Sequence, residues 1–204
     1  MPAPQDKKGV EILLGTLNYL AKFIPNMSII TKPIRDLLKT DAMFCWDTEQ
    51  SEAFKSIKDT LSTAPVLAFY NVNKPALITC NASQSGLGAV LVQEDKPIAY
   101  ASRALTDAET RYAQIEKELL AIVFAFNKFH QYTFGKEVLV ESDHKPLESI
   151  MKKSLAAAPP RLQRMLLQLQ QYTFTLVYKP GKEWFWQIPS HELLLMMKIA
   201  KPTT

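Results

Sequence analysis

The chain has 204 residues, of which 47% are hydrophobic, 22% charged and 10% aromatic. That is enough apolar material for one large domain or two small ones, and it excludes a disordered or fibrous protein. The net charge of +4 is carried by residues 63–204, because residues 1–62 hold eight bases and eight acids.

Residues 9–24 read as a helix, with Val10, Leu13, Leu14, Leu17 and Leu20 on one face and Pro25 beyond the end. A second helix is predicted over 28–39, with Pro33 in its first turns. A third follows Asp47, a capping residue, with Gln50 at the third helical position and Ala53, Phe54, Ile57 and Leu61 lining one face. Residues 1–62 are therefore expected to be helical throughout.

The pattern changes over Ser62–Pro75. Ala76–Cys80, Gly86–Gln93 and Pro97–Ser102 read as strands, with Glu94-Asp95-Lys96 as a hairpin turn. A long helix is predicted over 107–130, on Tyr112, Ile115, Leu119, Ile122, Val123 and Phe126. A strand at Glu137–Glu141 follows, with Val138 and Val140 on one face. Helices are expected near 145–152 and 160–171, then a strand at Thr173–Tyr178 and a last helix over 189–199. Three antiparallel strands followed by alternating helices and strands predict a mixed α/β sheet covered by helices.

Two cysteines, Cys45 and Cys80, are too few for a disulfide scaffold, and no CxxC or Cys/His cluster suggests zinc. Both are expected in reduced, packed surroundings, as in an intracellular (cytoplasmic or nuclear) protein. Met1–Lys8 leads into an amphipathic pattern rather than an apolar block, and Leu119–Phe126 is far too short to span a bilayer. No membrane partner is expected. Within 145–182, seven bases (Lys145, Lys152, Lys153, Arg161, Arg164, Lys179, Lys182) face one acid, Glu148. Such a run is either a phosphate-backbone footprint or a solvated helix face.

Several of these segments resemble a known family. Leu13–Asn26 (LLGTLNYLAKFIPN) is similar to the start of the thumb region in gypsy-type reverse transcriptases, as is the tract from Phe44–Asp47 through Ala64-Pro65-Val66-Leu67. Ile78–Leu91 (ITCNASQSGLGAVL) resembles that family's ribonuclease H opening strand and hairpin, and Ile98–Arg103 (IAYASR) its third strand. Tyr112–Ala121 (YAQIEKELLA), Val140–Leu147 (VESDHKPL) and Arg161–Gly181 resemble the segments that carry or precede its remaining acids. The motifs occur in order and at family spacing across nearly the whole chain. No Tyr-x-Asp-Asp segment occurs, so the polymerase palm is not expected here and would be a partner region of a longer Pol polyprotein.

The resemblance implies a ribonuclease H-like mixed five-stranded sheet with flanking helices over 65–204, preceded by a small all-helical thumb or connection-like segment over 1–64. It implies hydrolysis of the RNA strand of an RNA–DNA hybrid with two Mg²⁺ or Mn²⁺ ions. Such ions take hard, anionic oxygen ligands, and the family supplies four acids. Here Glu118 and Asp143 stand at two of those positions. Asn81 replaces the first; it brings an amide oxygen but no charge, and is also a strand-end polar residue expected to hydrogen-bond locally. The fourth position falls on Ile188, or on Gln187 with a one-residue deletion. Weakened metal binding and impaired catalysis follow as expectations, and a non-catalytic nucleic-acid-binding or structural module is the alternative.

Competing readings attach to individual residues. Glu118 could be a solvated helix residue or pair with a lysine, and Asp143 could cap the helix that follows it. Glu183 or Glu192 could in principle stand in for a missing acid. His144 and His191 are more readily structural than catalytic. Trp184, Phe185 and Trp186 suit a core patch better than base stacking.

Overall fold

The structure, a computed structural model, describes residues 3–21, 27–39, 42–63, 67–152, 155 and 158–180. The first helix, α1 (Lys7–Leu20), begins two residues earlier than the apolar period indicates, because Asp6 caps it by accepting from the Gly9 N–H at 2.6 Å. The predicted second helix is two short ones, α2 (Met27–Ile30) and α3 (Lys32–Asp36), with Pro33 in the first turn of α3. Helix α4 (Thr48–Thr63) starts as expected after Asp47, whose N–H donates to Gln50 Oε1 at 3.1 Å. Leu61 is exposed rather than inward. Thr60 takes the buried position and donates its hydroxyl back to the Ser56 carbonyl at 2.7 Å.

Three strands follow, each equal to or longer than the sequence indicates: β1 (Ala76–Ala82), β2 (Gly86–Gln93) and β3 (Lys96–Ala104). The predicted long helix is broken into α5 (Asp107–Thr110), α6 (Gln114–Lys128) and α7 (His130–Thr133). The break has a local cause. Thr106 and Glu109 form one capping box, with bonds of 3.3 and 2.8 Å. Glu116 then starts a second helix by accepting from the Ala113 N–H at 3.0 Å. The remaining elements are β4 (Glu137–Ser142), α8 (Pro146–Lys152), α9 (Pro160–Leu169) and β5 (Thr173–Tyr178). The helix predicted over 189–199 lies outside the described residues.

The strands form one five-stranded sheet in the order β3-β2-β1-β4-β5. The first three are antiparallel, while β4 is parallel to both β1 and β5. The expected mixed sheet is therefore present. Its main core gathers Ile78, Cys80, Leu91, Val138 and Val140 from the strands with Leu119, Ile122 and Phe126 of α6 and Leu162 and Leu169 of α9. Phe126 is fully buried and stacks on Tyr172 at 4.5 Å between centroids. A second core of Val10, Leu13, Leu17, Ile34, Phe54 and Ile57 holds α1–α4 together. The division expected at 64/65 falls on residues outside those described.

Helix α2 packs on β3, and the Ser28 N–H donates to Ser102 Oγ at 3.1 Å. The edge strand β3 contains Pro97, beside a register shift at Leu91/Val92, and the Pro97 carbonyl accepts from the Ala68 N–H at 2.9 Å. Cys80 is buried as expected, but Cys45 is exposed and donates to Asp47 Oδ2 at 3.2 Å. Its neighbours Met43 and Asp47 are also exposed, so no core reaches it. No helix among the described residues is long and apolar enough to cross a membrane.

The β2–β3 turn is two residues long, and both adopt left-handed backbone, Glu94 at φ 49° and Asp95 at φ 60°. Non-glycine residues are strained there, by about 1 kcal/mol each. Replacing the pair by Asn-Gly (E94N/D95G) is expected to raise the melting temperature by a few degrees, about 1 kcal/mol. An unchanged or lower melting temperature in calorimetry would contradict this account of the turn.

Candidate active site

Strands β1 and β4 lie side by side and parallel, so their carboxyl ends meet at one edge of the sheet. Helix α6 crosses β1 and β2 with its apolar face down. Glu118 sits on that buried face and is 2% exposed. It is not solvated, and it makes no ion pair with a described lysine. Its Oε2 accepts from the Ala82 N–H at 3.2 Å, and its Oε1 accepts from Gln114 Nε2. Gln114 also donates to the Ala82 carbonyl at 3.1 Å. One turn of α6 therefore clasps both backbone groups of Ala82, the last residue of β1.

Asp143 follows β4 directly and is half-buried. It does not cap α8: among the described residues, the backbone N–H beside its carboxyl is its own. Burial raises its pKa, while His144 and that N–H pull it down. Burial lifts Glu118 to about 8, and the charge of Asp143 adds to the shift against the hydrogen bonds from Gln114 and Ala82. The buried Cys80 thiol is pushed up by burial and then by the charges of Glu118 and Asp143.

Asn81 points outward between the buried Cys80 and Ala82 and is paired across to Gly88. Its side chain makes no hydrogen bond with a described residue, so the local bond expected from the sequence is not found. Gln114 was not singled out by the sequence. The available signal was its spacing, four residues before Glu118 and so on the same helix face. A shallow cleft of about 550 Å³ lies between Ile115 of α6 and Lys145, Pro146, Ser149 and Ile150. Ile188, Gln187, Glu183, Glu192, His191 and the aromatic run at 184–186 lie outside the described residues.

Residues 46–140 match the family described as the RNase H-like domain found in reverse transcriptase. The chain is 39% identical over 185 residues to the retrovirus-related Pol polyprotein from transposon 297 of Drosophila melanogaster, covering 89% of this chain and 17% of that protein. It is 34% identical over 186 residues to the Pol polyprotein from transposon 412 of the same organism, covering 89% and 15%.

The fold agrees. The foamy viral protease-reverse transcriptase in complex with RNA/DNA hybrid matches with a TM-score of 0.75 at 25% identity, over 100% of this chain and 27% of that one. The foamy viral protease-reverse transcriptase dRH in complex with double-stranded DNA matches at 0.74 and 26%, over 88% and 33%. The chain thus spans about a sixth of the length of these curated transposon relatives.

RNase H-like domains use divalent metal ions, and the described residues do not fit a pair of them. Among the described residues, no group of three or more His, Cys, Asp and Glu side chains is placed to hold an ion. Two carboxylates come together, and the oxygens of one already accept hydrogen bonds. Asn81, at the end of β1, supplies an amide and no charge.

The basic run is also smaller than its count. Arg161 Nη1 donates to both Glu116 oxygens at 2.9 Å and lies 4.1 Å over the Tyr112 ring. Lys179 pairs with Glu141 at 3.2 Å. Lys145, Lys152 and Arg164 are exposed and make no ion pair with described residues. Lys153 and Lys182 lie outside those described.

The raised Glu118 pKa has a definite sign. Above the ordinary value of 4.5 the unfolded chain ionises this carboxyl while the folded chain keeps the proton, up to about pH 8. Stability is therefore lost as pH rises through that window, then levels off. Glu118→Gln is expected to flatten the dependence, gaining on wild type by an amount on the order of a few kcal/mol between pH 4 and pH 9. Parallel denaturant curves for the two proteins across that range would show that Glu118 is not buried as described.

Proposed function

We propose that this chain is the RNase H-like part of a retroelement Pol polyprotein that still engages RNA–DNA hybrid but has lost most of its capacity to cut it. The ancestral reaction is hydrolysis of the RNA strand. The observation that carries this reading is the reduced carboxylate set. Glu118 and Asp143 meet at the ends of β1 and β4, while outward-facing Asn81 brings no charge beside them. The sequence places no acid at the fourth position, Ile188 or Gln187.

Glu118, Asp143 and Asn81 are the proposed remnants of the site, with affinity for Mg²⁺ or Mn²⁺ much reduced. Anionic ligands hold and orient the ions of a two-metal hydrolysis, each ion stabilising the transition state by several kcal/mol. Since ~1.4 kcal/mol is a factor of ten in rate, loss of two of four ligands lowers turnover by several orders of magnitude. The division into a helical thumb or connection-like segment (1–64) and the RNase H-like domain (65–204) is part of the proposal. It is supported by the two separate cores. So is a polymerase palm elsewhere in an intracellular polyprotein, supported by the small share of its relatives' length that the chain covers.

The test is cleavage of a labelled RNA–DNA hybrid with Mg²⁺ and with Mn²⁺, by the wild type and by an Asn81→Asp/Ile188→Asp double variant. The wild type is expected to be inert and the double variant to cut. Efficient cleavage by the wild type would show that another acid completes the site.

Hybrid binding is proposed to use Lys145, Lys152 and Arg164, which are exposed and outside ion pairs with described residues. Arg164→Ala is expected to weaken hybrid binding and make the slope of log K against log salt shallower by about one, with little change in melting temperature. Arg161→Ala is expected to lower the melting temperature instead, because it removes the bond to Glu116.

A second reading, a structural or interaction module, is favoured by the neutralisation of Arg161 and Lys179 in ion pairs. Absence of hybrid binding at low salt would select it.

A further inference from the structure

The helices α1–α4 and the sheet keep separate cores, and among the described residues the two cores share no buried side chain. They meet where α2 packs on β3. One hydrogen bond between described residues crosses that seam, from the Ser28 N–H to Ser102 Oγ at 3.1 Å. Ser28 is 4% exposed, and its Oγ is the one buried side-chain polar atom among the described residues that has no hydrogen-bond partner. This hydroxyl packs against Gly86 at the start of β2, where an added Cβ would stand 3.4 Å from it and 3.5 Å from Ile29 Cγ1. Beside the close contact the seam opens into a cleft of about 380 Å³ between α1, α2, α3 and β3. The neighbouring polar groups look inward to the helical unit: Arg35 Nη2 donates to Thr31 Oγ1 at 3.0 Å, and the Thr31 hydroxyl donates to the Met27 carbonyl at 2.7 Å.

A permanent joint between two cores buries broad apolar surface and satisfies its polar groups; without these, relative motion is the default. Here the close contact is confined to one turn of helix with a cleft at its side. Docking strips water from the Ser28 hydroxyl and returns no partner to it, and the hydroxyl regains water when α2 lifts away. The bond from the Ser28 N–H to Ser102 works in the opposite direction. Each core stays intact in either position, so the balance is set at the seam.

We propose that the α1–α4 unit docks on the sheet reversibly, with the α2–β3 seam as the joint and Ser28 weighting the balance against the docked state. Docked and undocked forms differ in the position of the whole helical unit, and the cleft is the margin along which they part. The inference rests on the two cores and the seam, and it stands whether or not the chain binds or cuts hybrid.

The experiment measures the distance between two nitroxide labels by pulsed electron spin resonance. One label is on Cys45, which is exposed and belongs to the helical unit; the other is on a Gln168→Cys substitution at the exposed face of α9. Cys80 is buried and stays unlabelled. With Ser28 and Ser102 in place, two distance populations are expected. Ser28→Ala removes the unsatisfied hydroxyl and is expected to raise the ratio of docked to undocked about tenfold. Ser102→Ala removes the bond across the seam and is expected to lower the ratio by a similar factor. Ser28→Ala is expected to melt no lower than its parent, so it carries the test even if Ser102→Ala unfolds. One narrow distance common to the parent and Ser28→Ala would overturn the proposal, as would a ratio that Ser28→Ala leaves unchanged or lowers.

Discussion

Glu118 reaches from the buried face of α6 into the end of β1, where a carboxyl group is stripped of water and must find donors in the protein. It finds the Ala82 N–H and Gln114, and Gln114 holds the Ala82 carbonyl as well. Burial of a carboxyl costs stability whenever the proton leaves, and the two hydrogen bonds it accepts offset part of that cost. The helix cannot slide along the strand without breaking these bonds. The relative placement of α6 and β1 is thereby tied to one side chain, whose charge adds to the burial that raises the Cys80 thiol.

A second fixing point works through charge rather than burial. Glu116 starts α6 by accepting from Ala113, and the same carboxylate receives Arg161 from α9. One residue thus ends the preceding turn, begins the helix that presents Glu118, and ties down the helix packed beside it. Lys179 does similar work on Glu141, which also accepts from Thr79 Oγ1 at 3.4 Å. Both cations are thereby withdrawn from the surface that could meet a phosphate backbone.

Much of the fold was legible because burial follows period. Val138 and Val140 alternate inward as a half-buried strand requires, and Leu119, Ile122, Val123 and Phe126 keep the helical repeat. The break between α5 and α6 was not legible from period alone, since Tyr112 and Ile115 stay in phase across it; the two capping carboxylates decide it. The inward turn of Thr60 in place of Leu61 depends on a hydroxyl that satisfies itself on Ser56, which lets a polar residue occupy a core position. At the site, the residue types at 81, 118 and 143 could be read directly, but not the depth of Glu118 or its clasp with Gln114. Those arise from contacts between positions more than thirty residues apart. The pairing of Arg161 with Glu116 is equally distant in the chain, and for that reason a count of bases overstated the free positive charge.

The two outer strands of the sheet differ from its interior in a way that bears on self-association. Strand β3 contains Pro97, whose carbonyl is taken by Ala68, and β5 runs for six residues before Lys179 and Pro180. A proline has no N–H to offer an incoming strand, and a lysine at an edge must be desolvated by one. Growth of the sheet from molecule to molecule would meet the proline at the start of β3 on one margin and only six residues of strand on the other. A chain so rich in β-forming apolar sequence is thereby protected against stacking edge to edge into fibres.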